Sequence, residues 1–150
     1  MTTGPLTSIK EQATGAYARA LAERGFAALA FDHRTFGESD GEPRQFEQPA
    51  GKADDVRAAV TALGADERTR DLPVVGVGVC AGAGYMARAV ADDRRLCAFA
   101  GVAGYYSDAA AFAESSPDAY QAAIARGLAA EKLARHGRDR DHPGGRARRR

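Results

Sequence analysis

Gly78-Val79-Cys80-Ala81-Gly82 sets a thiol between two glycines and matches G-x-S-x-G with cysteine in the place of serine. A nucleophile lifted out of a sharp strand-to-helix turn is held in a strained backbone conformation. The residues two before and two after it must be small, because helix and strand approach closely there. Gly78, Gly82 and also Gly84 meet that need. The turn would place Cys80 at a helix N-terminus, where the dipole favours negative charge and so a thiolate. The backbone N–H of Ala81 would point at a developing oxyanion, and one donor of this kind can be worth ~3 kcal/mol of transition-state stabilisation. The same residues also describe a small buried hydrophobe in a glycine-rich corner, since unpaired cysteine is among the most buried residue types. The pattern alone leaves both readings open.

Other chemistry finds less support. Gly76-Val77-Gly78 followed by Gly82 looks loosely like a dinucleotide fingerprint, but the spacing after Gly78 is too long for G-x-G-x-x-G. The next apolar run ends in Ala103-Gly104-Tyr105, with no acidic residue for a ribose. There is no GK[ST] phosphate loop, so no cofactor is expected. Cys80 and Cys97 form no CxxC and stand near no histidine pair, which suggests neither a disulfide framework nor a zinc site. Cys97, inside a continuous apolar run, reads as core.

The elements that must hold the turn follow from periodicity. Apolar Ala13, Tyr17, Ala20 and Leu21 recur at helical spacing between Ser8 and Arg24, and Gly25 is a natural stop. GFAALAF (25–31) reads as a strand covered on both faces. Residues 33 to 51, rich in Gly and Pro, read as a long connection. Val56, Ala59, Val60 and Leu63 line a second helix closed by Gly64. LPVVGVGVC (72–80) is a second buried strand, AGAGYMARAVA (81–91) a helix, and LCAFAGVA (96–103) a third strand. Ser116 and Pro117 open a last helix, marked by Tyr120, Ile124 and Leu128, that should end near Arg135. The alternation predicts an α/β domain with a parallel sheet over residues 1–136. Three strands are few for that class, so a sheet truncated at both ends is expected.

The 150 residues and 45% hydrophobic composition suit one domain. Apolar residues never run for the roughly 18 positions of a membrane span, and MTTGPLTSIKE has no secretory pattern. With free thiols, a cytoplasmic setting and no membrane association are expected. The net charge of +1 hides a crowd of arginines from Arg135 to Arg150. Such an end can neutralise phosphates, yet the composition of 137–150 reads as a solvated, disordered tail, so nucleic acid is not an expected partner.

GPLTSIKEQATGAYARALAERGFAALAFDHRTFGESDGEPRQ, followed by GVCAGAGYMARA, resembles the dienelactone-hydrolase-related group of α/β-hydrolases over residues 4 to about 130. The specific parts are KEQ before the first helix, FDHRTFGES against the family's D-x-R-G-x-G-x-S, and the cysteine turn. Thr35 stands where the family has glycine. The resemblance implies a three-layer α/β/α fold in which 25–32, 72–80 and 96–103 are the fourth, fifth and sixth strands. It makes Cys80 the nucleophile, with Ala81 as first oxyanion donor. Gly4 aligns with the glycine of a His-Gly oxyanion segment, but Thr3 replaces the histidine and Pro5 has no N–H, so Leu6 is taken as the second donor. Tyr105 and Tyr106 are placed at the substrate pocket, although packing under a lid explains them equally.

The implied reaction is hydrolysis of an ester, thioester or lactone through an acyl-enzyme, with a small-molecule substrate. The family's acid and base lie on later strands, so neither is assigned. His136 and His142 lack the expected strand context, and His33 reads as a loop residue. An incomplete hydrolase that self-associates through exposed apolar edges is therefore expected. An amidotransferase-like cysteine enzyme and a noncatalytic binding protein remain as alternatives.

Overall fold

Two buried threonines begin the sheet. The structure, a computed structural model, describes residues 1–106 and 108–141. It divides into a unit from Met1 to Tyr106 and a second unit from Ser107 onward. In the first, β1 (Thr2–Thr3), β2 (Val74–Val79) and β3 (Leu96–Val102) form a parallel sheet in the order β1-β2-β3. Thr2 and Thr3 are buried, which is tolerable because each hydroxyl is satisfied: Thr2 Oγ1 donates to Thr14 O at 3.0 Å and Thr3 Oγ1 to Gly82 O at 2.9 Å.

The expected strand at GFAALAF is reduced to one parallel bridge between Ala30 and Thr2, with the Thr2 N–H donating to Leu29 O at 2.9 Å. Among the described residues β1 alone pairs with it, and a two-residue strand offers too few partners for a ladder. A strand is defined by the chain beside it as much as by its own residues.

Helix α1 (Ala13–Ala22) ends before Gly25, which takes φ +87 as a glycine after a helix does. Helix α2 (Pro49–Ala65) starts with Pro49 in its first turn, inside the stretch read as connection. Helix α3 (Ala81–Asp92) follows β2 directly. Val56 and Val60 of α2, Met86 and Ala89 of α3, Leu96 and Met1 form the core, flanked by Leu29, Phe31, Ala59, Leu63 and Phe99. Each fully buried large aliphatic side chain here contributes about 1.5–3 kcal/mol.

Cys97 is exposed, which corrects its reading as core. Val74 pairs with Leu96 and Val75 with Ala98, so Cys97 is the extra residue of a β-bulge and drops out of the alternation that would have turned it inward. An apolar run shows where a strand can form but not where its register slips.

The second unit holds α4 (Ala109–Ser115) and α5 (Pro117–Asp141). Asp108 caps α4 by accepting from the N–H groups of Ala110 and Ala111 at 2.9 and 3.2 Å. Phe112 and Tyr120 meet edge-to-face at 6.1 Å. Helix α5 runs past the expected end at Arg135. Positions 142–150 of the expected tail, including His142, lie outside the described residues, as does the side chain of His136. No helix of the described residues is long and apolar enough to cross a membrane.

Candidate active site

The backbone at Cys80 turns through φ 54, ψ −122, a region that side chains other than glycine adopt only under strain. Three hydrogen bonds hold it there. Its N–H donates to Val102 O, and its carbonyl accepts from the N–H groups of Ala83 and Tyr105, each at 3.0 Å. The bracketing glycines are required by contact. A Cβ on Gly78 would lie 2.4 Å from Ala83 Cα, and one on Gly82 would lie 2.4 Å from Gly4 O and 2.7 Å from Thr3 O. The G-x-C-x-G spacing is thus a record of how closely β2, α3 and the segment after β1 approach.

Cys80 is half-buried at the head of α3, and its thiol makes no hydrogen bond among the described residues. The first amides of a helix have no intrahelical partner, which leaves the Ala81 N–H available beside the thiol. The second expected donor lies on the loop after β1. There, Thr7 N–H donates to Glu47 Oε2 at 3.1 Å and Ser8 N–H to Pro5 O at 3.2 Å. Leu6 N–H has no partner among the described residues, and the Leu6 side chain is exposed. Thr3, at the position of the family's histidine, ties this loop to the turn through Gly82 O.

The other two motif segments meet each other. Asp32 accepts from Lys10 N–H at 2.8 Å, Lys10 Nζ at 2.6 Å and Glu38 N–H at 3.0 Å. Burial pushes this carboxyl up, but the Lys10 ammonium and the two amides outweigh it and hold it below the ordinary value. Carboxylate oxygens of Glu11, Asp32 and Glu38 come within 4.8 Å of one another. Lys10 Nζ contacts all three, at 3.2, 2.6 and 2.6 Å, so the chain supplies its own cation there. Thr35 takes φ +70, which explains why glycine suits this position and makes a β-branched residue here strained.

A buried polar group beneath the site was not anticipated. Lys52 Nζ lies 2.8 Å from Glu47 and 4.2 Å from the centroid of the Phe36 ring, and Tyr85 Oη donates to Glu47 Oε1 at 2.5 Å. Burial raises the Glu47 carboxyl, but Lys52, then Tyr85 and the Thr7 amide, together leave it below the usual carboxylate range. Burial and the same carboxylate push the Tyr85 hydroxyl well up. His33 is a loop residue, as expected, and is buried. Its Nδ1 lies 3.3 Å from Asp55 Oδ2, and its Nε2 has no hydrogen-bond partner among the described residues. No sequence periodicity signals these contacts, because Glu47 precedes α2 and Tyr85 reads as one more apolar position of α3.

The structure therefore brings together Cys80, Ala81 and the backbone of Tyr105. The Tyr105 and Tyr106 side chains are exposed.

Comparison with known proteins gives a consistent set of likenesses. The family described as "Serine aminopeptidase, S33" matches residues 11–140. The protein YcjY of Escherichia coli K12 is 42% identical over 92 residues, 61% of this chain and 30% of YcjY. Quorum-quenching protein AidA of Acinetobacter baumannii is 34% identical over 83 residues, 55% of this chain and 27% of AidA. Among solved structures, protein PA2218 of Pseudomonas aeruginosa matches with a TM-score of 0.66 at 36% identity, over 69% of this chain and 33% of PA2218. The α/β hydrolase GrgF of a Penicillium species matches with 0.62 at 27% identity, over 69% of this chain and 36% of GrgF. The chain thus spans about a third or less of the length of the curated relatives it matches.

Proposed function

Because this chain belongs to the serine aminopeptidase S33 family of α/β-hydrolases, we propose that it carries the nucleophile of a hydrolase that works through Cys80 on an ester, thioester or lactone. The observation that carries this reading is the backbone of Cys80, held at φ 54 between two glycines that contact leaves no room to replace. Strain of that kind persists only where surrounding structure enforces it, and it presents the side chain at a helix N-terminus.

The Cys80 thiolate attacks the acyl carbonyl carbon, forming a C–S bond while the carbonyl electron pair moves to oxygen. The oxyanion is met by the N–H of Ala81 and, on the loop after β1, by that of Leu6. Collapse expels the alkoxide or thiolate, which takes up a proton, and water then cleaves the thioester to regenerate the thiol. Tyr105 and Tyr106 border the acyl site. The family description names serine enzymes, whereas a thiolate at position 80 favours acyl groups with good leaving groups. The likeness to dienelactone-hydrolase-related sequences supports lactones among the substrates, and the likeness to AidA brings quorum quenching into consideration. Two free thiols support a reducing, cytoplasmic setting.

The test is release of p-nitrophenol from short p-nitrophenyl esters, and of thiol from thioesters, by the chain beside Cys80→Ala. A wild-type burst of one equivalent, with Cys80 acylated by mass spectrometry and the burst absent from the variant, is expected. Equal release by both proteins sinks the reading.

A further inference from the structure

Glu47 stands outside every motif, yet its carboxylate is where four segments meet. Thr7 N–H from the loop after β1 reaches Oε2 at 3.1 Å, Tyr85 Oη from α3 reaches Oε1 at 2.5 Å, and Lys52 Nζ from α2 lies 2.8 Å away. Lys52 is 1% exposed and is covered by the rings of Phe36 and Tyr85, at 4.2 and 5.3 Å, so the lysine end of the ion pair is shielded from water while the Glu47 end is half-buried. Charge-assisted bonds in such surroundings are strong and fix direction as well as distance. Tyr85 follows Cys80 on the same helix, so one of the four segments is the one that begins at the nucleophile.

We propose that Glu47 is the positioning residue of the oxyanion loop: by holding the Thr7 amide it fixes the neighbouring Leu6 N–H relative to Cys80. This deepens the cysteine-hydrolase reading and rests on it. Thr7 itself takes φ +58, a conformation the loop does not favour unaided, so the bond to Glu47 is a restraint on a strained residue. Pro5 has no N–H, and the amides of Thr7 and Ser8 are already committed, so among the described residues Leu6 is the free donor of the segment from Pro5 to Ser8. A donor displaced by a fraction of an ångström loses much of its effect on an oxyanion, while the thiolate's own reactivity is untouched.

That difference supplies the test. Acylation of Cys80 by p-nitrophenyl acetate converts thiolate and ester to thioester and p-nitrophenolate through an oxyanion. Alkylation by iodoacetamide displaces iodide at saturated carbon and forms none. In the full chain carrying Glu47→Gln, acylation should slow by roughly tenfold or more, alkylation should be unchanged, and hydrogen exchange at Leu6 and Thr7 should rise while that of β2 does not. Tyr85→Phe, which removes one donor and keeps the ring over Lys52, should shift the same ratio in the same direction by less, and it serves where Glu47→Gln fails to fold. Unchanged loop exchange, or equal slowing of acylation and alkylation, overturns the proposal. If the loop loosens but wild-type Cys80 is never acylated, the loop restraint stands and the hydrolase reading with its oxyanion role falls.

Discussion

Gly78 of β2 and Gly101 of β3 are partners in register, side by side in one sheet, yet they stand in opposite surroundings. A Cβ on Gly78 meets backbone, Ala83 Cα at 2.4 Å, whereas a Cβ on Gly101 meets the Tyr106 hydroxyl, the far end of an exposed side chain. On the β1 side of β2 even threonines are buried. On the β3 side Ala98, Ala100 and Gly101 are exposed. On the β1 side of β2 backbone contacts leave no room for a side chain, while on the β3 side hydrogen bonds linking Cys80 to Val102 and Tyr105 hold the turn without filling the space at Gly101. Similar apolar strings thus place one glycine against backbone and the other against the ends of side chains, and the difference lies in what covers them.

The largest test of that contrast is Gly78→Ala, expected to cost about 3 kcal/mol in urea denaturation because neither β2 nor α3 can give way. A loss under about 1 kcal/mol would mean that the corner is looser than its distances imply. Next is Glu47→Gln, expected to cost about 2 kcal/mol by leaving Lys52 buried without its counter-charge. Its pH dependence has a definite sign. The folded carboxyl lies below the ordinary value, so the stability it adds is present in full above the unfolded value of about 4.3 and is lost as pH falls through the folded one. The gap in unfolding midpoint between wild type and variant should be constant above about pH 5 and should close in stronger acid. A gap that widens on acidification contradicts the ion pair. Gly101→Ala should lie within about 0.5 kcal/mol of wild type, because the restriction of the unfolded chain offsets the displacement of the Tyr106 hydroxyl and the edge of the Phe99 ring by the methyl. Smallest is Cys97→Ser, within about 0.5 kcal/mol, since the bulge already exposes the thiol. A larger loss in either β3 variant would erase the contrast between the two strands.

The turn at Cys80 was legible because glycine spacing reports backbone approach directly: a missing side chain at 78 and 82 is itself the contact. Helices α2 and α3 were legible from periodicity, and β2 and β3 from their apolar runs. The first strand was not, because Thr2 and Thr3 look like loop until the carbonyls of Thr14 and Gly82 accept their hydroxyl protons. The Glu47 cluster escaped for a related reason. Glu47 is separated by 38 positions from Tyr85 and by 40 from Thr7, and a polar side chain carries no mark of the partner that will satisfy it. The failure at Cys97 came from reading composition as burial, where a single extra residue decided the facing.

One consequence of the Cys80 backbone concerns what the molecule would gain by losing its chemistry. At φ 54, ψ −122, glycine rests where cysteine is strained, so Cys80→Gly is a change that silences the thiol and relaxes the fold, by about 1 kcal/mol, in one step. Under the proposed function, chemistry and thermodynamic comfort pull this position in opposite directions.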